Sequence, residues 1–192
     1  MIYIVSDTHF FHRNIIEYCD RPYDNIEIMN EDIVNKWNSI VKEDDIVFHL
    51  GDVGFGLVEQ LQPIVHRLNG HKILLRGNHD MNRGTISWTN IGFEFVYKKG
   101  IISLQDFNEL IMEMYGQKFV NFSDWEDNEI LFSHSPKQCD DNVLNIHGHM
   151  HNVPLDPNTY NLMNHICTSI EMIDYKPISL DEVLSRAEMK KI

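Results

Sequence analysis

The sequence has only three cysteines, Cys19, Cys139 and Cys167, and no C-x-x-C pair among its 192 residues. That argues against a disulfide framework or a thiolate metal site, and the three read as reduced thiols of a cytosolic protein. No apolar run approaches the ~18–20 residues that a bilayer-spanning helix needs. The apolar run ahead of Ser6 is short and has no basic stretch before it, so no signal peptide is expected there. Positive charge is scarce as well. Lys and Arg number 16 against 29 Asp and Glu, a formal net charge of −13 with histidines neutral. A long basic groove for duplex nucleic acid is not expected, because binding to a phosphate backbone rests on Lys and Arg. There is no internal repeat, low-complexity tract or linker. With 43% hydrophobic and 23% charged residues, the chain reads as one ordinary globular domain with room for a substantial core.

What is present is a set of short polar blocks, in order along the chain: Asp7-Thr8-His9, Gly51-Asp52, Gly77-Asn78-His79-Asp80, Ser133-His134 and Gly148-His149-Met150-His151. They supply Asp7, His9, Asp52, Asn78, His134, His149 and His151 as candidate metal ligands. All are oxygen or imidazole donors, which suit Mn²⁺, Fe, Zn²⁺ or Ni²⁺. The set is too large for one ion. It fits two divalent ions sharing a carboxylate, with positions left for water and substrate. Each block follows an apolar run, such as Ile2-Tyr3-Ile4-Val5 or Ile46-Val47-Phe48-His49-Leu50, that reads as a buried strand. Strands packed side by side would bring all the blocks to their carboxyl ends, where α/β sheets form ligand crevices. Glycines at 51, 77 and 148 let the backbone turn sharply there.

The order D-x-H, G-D, G-N-H-D, H, G-H-x-H resembles the calcineurin-like metallophosphoesterase superfamily from Met1 to about His151. The opening Ser6-Asp7-Thr8-His9-Phe10-Phe11-His12-Arg13-Asn14-Ile15-Ile16 is similar to a compact bacterial and phage branch of it. The resemblance implies an α/β fold, a four-layer α-β-β-α sandwich of two mixed sheets with the metal site at the strand C-terminal edge. It assigns Asp7, His9 and His151 to one metal and Asn78, His134 and His149 to the other, with Asp52 bridging. Mn²⁺ is the favoured ion. A water shared by two such ions loses a proton near neutral pH and becomes the nucleophile. His79 is the candidate general acid for the leaving oxygen, with Asp80 orienting its ring. Arg76 and His12 are candidates to touch the substrate.

Departures from the family narrow the activity. Protein phosphatases carry G-D-x-x-D-R-G, whereas this chain reads Gly51-Asp52-Val53-Gly54-Phe55-Gly56. It also lacks the length for the capping domain of the break-repair nucleases. The expectation is a phosphodiesterase for small or nucleotide-derived esters. The alternatives are a phosphomonoesterase or nucleotide pyrophosphatase, or a non-catalytic interaction module. Intact ligands argue against the last. Monoester sites need extra cationic groups, and beyond Arg76, Arg13 and Arg83 none is obvious.

The remaining chain alternates helix and strand. Apolar spacing predicts amphipathic helices over 25–43 and 57–68, a closing strand from Cys167 to Tyr175, and a last helix opened by Ser179-Leu180-Asp181-Glu182 and running to about Met189. Residues 84–128 read as a helical insertion. Within it the 104–120 segment, with Phe107, Leu110, Ile111 and Met114 at helical spacing, is either a partial lid or dimer surface beside the site or a helix covering the core. His49 reads as a hydrogen-bonded core residue, and His147 as a neighbour of the ligands. His66, His71 and His165 read as surface or structural.

Overall fold

A computed structural model describes residues 1–98, 100–116 and 129–190. The first half builds a five-stranded sheet. Strands β1 (Ile2–Val5), β2 (Ile46–His49), β3 (His71–Leu75) and β4 (Phe95–Tyr97) run parallel, in the order β4-β3-β2-β1. β9 (Ile178–Ser179) adds antiparallel to β1. The second sheet has the order β5-β6-β7-β8, from β5 (Ile101–Ser103), β6 (Glu129–Ser133), β7 (Val143–His147) and β8 (His165–Cys167). Its only antiparallel pair among the described residues is β5 with β6. The result is two mixed sheets flanked by helices, the α/β sandwich that the motif order implies.

Every residue of β1 and β2 is buried. Such continuous apolar strands belong in a parallel sheet covered on both faces. Phe48 of β2 meets Phe132 of β6 edge-on, with ring centroids 5.3 Å apart, so the two sheets share one core. The helices are α1 (Ile15–Tyr18), α2 (Ile26–Ile40), α3 (Val58–Val65), α4 (Thr85–Ile91), α5 (Leu104–Tyr115) and α6 (Leu180–Lys190). α2 starts at Asn25, whose side chain accepts the Ile28 N–H, and ends where Val41 turns extended, so it is shorter than 25–43. Its buried stripe runs through Met29, Ile33 and Trp37, while Ile28 faces outward. α3 stops at Val65, and the rest of the expected 57–68 helix is a tighter turn of i→i−3 bonds through Leu68. The described helices include none long and apolar enough to cross a membrane.

Two expectations need correction. The stretch from Cys167 to Tyr175 is not a closing strand. β8 ends at Cys167, Ile170–Ile173 is a 3₁₀ turn, and Asp174 and Tyr175 take left-handed backbone. Ile170 and Ile173 are three residues apart, the eclipsed spacing of such a turn, and both are buried. The strand that closes the sheet is β9. Nor is 84–128 simply a helical insertion, because it supplies the edge strands β4 and β5 of both sheets. α5 buries Phe107 and Ile111 completely, and Phe107 stacks on Phe48 at 4.4 Å and lies 5.6 Å from Phe132. Over residues 104–116 the segment is therefore core. Residues 117–120 of the expected lid, with the rest of the stretch to 128, lie outside the described residues.

Candidate metal centre

The centre lies on the seam between the two sheets. Ser6 N–H donates to the Thr168 carbonyl at 3.0 Å and Ile170 N–H to the Ser6 carbonyl at 3.1 Å, tying the end of β1 to the chain leaving β8. Asp7 N–H donates to Gly51 at 2.9 Å and His9 N–H to Asp52 at 3.1 Å, which zips the first two blocks together. Asp7, His9, Asp52, His149 and His151 all have positive φ, between 50° and 69°. Left-handed backbone costs a non-glycine residue ~1–3 kcal/mol, so such strain persists only where surrounding bonds over-determine it. Gly51, at φ 103°, has no room for a side chain, because a Cβ there would collide with the Gly77 backbone.

The strain aims lone pairs at common points. Asp7 Oδ2 accepts from Ser6 Oγ at 2.6 Å, Ser169 Oγ at 2.8 Å and His149 N–H at 2.8 Å. Its other oxygen, Oδ1, is buried with no partner and faces His9 Nε2 at 3.9 Å and His151 Nε2 at 4.0 Å. His9 Nε2 is also buried and unpaired. Buried polar atoms are nearly always satisfied, so unpaired acceptors converging within 4.8 Å fit a bound cation. A second group sits alongside. His134 Nε2 lies 2.9 Å from Asn78 Oδ1, 3.2 Å from His149 Nδ1 and 3.5 Å from Asp52 Oδ2. His134 Nδ1 donates to the Leu50 carbonyl at 2.9 Å, which fixes the ring. Asp52 Oδ2 is also 3.7 Å from His9 Nε2, so it stands between the two groups.

A family model for the calcineurin-like phosphoesterases matches residues 1–186. The chain belongs to that family. It is 32% identical to an uncharacterised protein of Methanocaldococcus jannaschii over 198 residues, which takes in 100% of this chain and 93% of that protein. It is 32% identical to the gene 66 protein of Mycobacterium phage L5 over 91 residues, 42% of each. A crystal structure of a protein of unknown function from Aquifex aeolicus superposes with a TM-score of 0.70 at 26% identity, covering 97% of this chain and 98% of that one. A metal-dependent phosphoric ester hydrolase is what the family implies, and the donor set of this phosphoesterase fits that chemistry.

Electrostatics of the metal-free protein agree. Burial opposes a charge on His134, but Asp52 and Asp7 outweigh it and raise its pKa to about 9. Burial likewise opposes charge on His151, and Cys19, Glu171 and Asp7 raise it to about 10. Asp52 is held down to about 2, since His134 and His9 outweigh its burial. Protons on His134 and His151 are therefore what a cation displaces. Burial keeps His9 well below its ordinary value, ready to offer a lone pair.

Around these candidate ligands are residues that sequence reasoning gave no role. Glu171 Oε1 lies 3.0 Å from His151 Nδ1 and 2.6 Å from Arg21 Nη2. Arg21, buried, also donates to the carbonyls of Thr8 at 3.0 Å and Asp7 at 2.8 Å. A carboxylate behind a ligating histidine fixes its tautomer and raises its basicity. Ser6 and Ser169 do the equivalent for Asp7. Of the four, only Ser6 stands in a recognisable pattern, the opening block, and nothing there marks it as a partner of Asp7.

The other candidates divide. His79 is half-exposed over the site, with Nε2 3.9 Å from Asp52 Oδ2 and its backbone N–H donating to Asp52 Oδ1 at 2.9 Å. Asp80 does not orient the His79 ring. It is fully buried, its Oδ2 accepts the N–H groups of Asp52 at 2.7 Å and Gly77 at 2.8 Å, and its Oδ1 accepts Val53 N–H at 3.1 Å. It braces the loop that carries Asp52. Burial and the Asp52 charge push its pKa up to about 7 against those three donors. Arg76 does not reach the site either, because its guanidinium donates to the carbonyls of Arg83 at 3.2 Å and Lys98 at 3.3 Å. His12 lines the crevice, a cavity of about 480 Å³ that His9, His79, His149 and His151 also border. His49 is a core residue, hydrogen-bonded to Thr8 Oγ1 at 3.0 Å and accepting Gly51 N–H at 3.1 Å. His147 is buried behind the ligands, 2.9 Å from the Gly148 carbonyl. His165 is buried beside it, His66 is exposed, and His71 pairs with Glu94.

Proposed function

We propose that this protein is a dinuclear, metal-dependent phosphodiesterase acting on small or nucleotide-derived phosphate esters, with Mn²⁺ the most activating ion. The observation that carries the two-metal reading is the position of Asp52 Oδ2, facing His9 at 3.7 Å on one side and His134 at 3.5 Å on the other. Asp7, His9 and His151 would hold one ion, and Asn78, His134 and His149 the second, with Asp52 touching both. When bound, such ions supply Lewis acidity and lower the pKa of a coordinated water toward neutrality. His79 stands free over the site and can give a proton to the leaving oxygen. Asp80 keeps Asp52 in place by gripping the backbone on either side of it, and Arg21 with Glu171 holds the His151 ring.

Preference for a diester rests on charge. No Lys or Arg lines the crevice among the described residues. Arg76 and Arg83 are both committed to backbone carbonyls. A dianionic monoester would find no Lys or Arg to match its second charge, whereas a monoanionic diester needs none. The test is a screen of Mn²⁺-loaded protein on aryl diesters and aryl monoesters with the same leaving group, with cyclic nucleotides and dinucleotides alongside. The diester should be hydrolysed with the higher kcat/KM. A higher value for the monoester overturns the assignment.

A further inference from the structure

Phe55 is a large apolar side chain left 42% exposed at the edge of the metal crevice. Its backbone is firmly held. Its N–H donates to the Phe10 carbonyl at 2.8 Å, and Arg83 donates to the carbonyls on both sides of it, those of Gly54 and Gly56. Arg83 is in turn seated over the ring of Trp88, 5.4 Å from its centroid, and Trp88 is fully buried. A buried scaffold thus presents an exposed aromatic ring at a fixed place. The ring lies 4.7 Å from that of His79 and 5.6 Å from that of His9, beside the atoms that would flank a reacting phosphate.

His12 backs this ring, stacked on it at 3.9 Å with an interplanar angle of 22°. His12 Nδ1 also lies 3.3 Å from His9 Nδ1, and His12 lines the crevice. Tyr18, 70% exposed, meets the His12 ring edge-on at 6.1 Å and extends the wall.

We infer that Phe55, backed by His12, is the recognition platform for a planar aromatic ring carried by the phosphate ester. The inference rests on the diester reading above. A crevice that no Lys or Arg lines among the described residues gains little from the substrate's charge beyond the metals. An aromatic ring held in place and left partly exposed instead offers stacking, which every aryl group or nucleobase can use.

The test is calorimetric titration of Mn²⁺-loaded protein with three phosphinate monoanions, in which P–C bonds replace the ester P–O bonds: dimethylphosphinate, benzyl(methyl)phosphinate and the adenosine 5′-methylphosphinate in which CH₂ replaces the ester oxygen. The ring-bearing ligands should bind at least about fivefold tighter than the methyl one, the lower end of what one base–aromatic stack contributes. Phe55→Leu should collapse that ratio toward one, and Phe55→Trp should keep it, with metal content and thermal melting matched to the parent. The tighter of the two ring ligands identifies a nucleobase or a simple aryl group as the natural ring. No ring preference in the parent, or an unchanged ratio in Phe55→Leu, overturns the platform. Ring preference in a protein that hydrolyses no diester sinks the diester reading and leaves the platform standing.

Discussion

At the residue scale, the site depends on how single carboxylates divide their oxygens. Asp7 spends Oδ2 on three donors and keeps Oδ1 bare. Asp52 spends Oδ1 on the His79 N–H and turns Oδ2 to both histidine groups. Asp52→Asn should therefore abolish turnover and lower metal content more than any other single change, which elemental analysis and activity assays on Mn²⁺-loaded protein check. Retention of both metals, with activity within about tenfold, a loss far smaller than that of a removed catalytic part, would show that Asp52 is not the bridge. His79→Ala should keep both metals and slow turnover ~10²–10⁴-fold, the usual size of a general-acid contribution. The loss should shrink for nitrophenolate, which leaves without a proton, and an equal loss across leaving groups would point to positioning. Glu171→Gln leaves the His151 ring without its anionic partner and should weaken metal binding ~10–100-fold, read by metal titration.

At the element scale, α5 works as core. Phe107 and Ile111 are fully buried, and the helix begins at Ser103, whose Oγ accepts the Asp106 N–H at 3.1 Å. It stops at Gly116 in the left-handed conformation. Phe107→Ala removes a ring packed against both Phe48 and Phe132, and should cost ~3–5 kcal/mol in urea denaturation. Relative rates on small and bulky esters should stay in proportion. A shift in that proportion without loss of stability would restore a role for the helix in substrate choice. β9 works in a similar way, since two residues are enough to pair with Tyr3 and Ile4 and cover the edge of β1.

At the scale of the whole molecule, the buried histidines limit stability from both sides of neutral pH. Burial lowers His49 to about 3 and His147 to about 4. Groups whose folded pKa is depressed stabilise fully above the unfolded value of ~6.5, and lose that contribution as pH falls through the folded one. His134 and His151, raised to about 9 and about 10, act oppositely, stabilising fully below the unfolded value and losing it as pH rises. Asp80, raised to about 7, opposes the acid limb between its unfolded value and neutrality, but it is outnumbered by His49, His147 and His9, which burial also lowers. The metal-free protein should therefore be most stable near pH 6.5, close to the unfolded histidine value. His49 alone should contribute a slope of ~1.4 kcal/mol per pH unit below it. Urea titrations across pH 4.5–9, with ~6.5 as the expected optimum, compare the parent with His49→Gln, which should flatten the acid limb. Mn²⁺ should remove the alkaline decline, since a cation takes the place of the protons on His134 and His151.

The candidate ligands that the fold gathers were legible in the sequence because their signal is local. A buried apolar strand ends, and the next residues are a carboxylate or imidazole that no core would otherwise take. Asp7, Asp52, Asn78, His134 and His149 each stand just beyond such a run, so their types and order identified the family and the sandwich. What supports them was decided by the tertiary structure. Ser169 bonds Asp7 across 162 residues and Arg21 bonds Glu171 across 150, separations over which sequence carries no spacing signal. Asp80 closes the G-N-H-D block and Arg76 directly precedes it, yet their partners are backbone groups brought near only by folding. α5 has the same apolar stripe whether it is a lid or a core helix, and the ring of Phe48 beneath it settled which. Periodicity records that a face is buried, and only the packed chain decides what buries it.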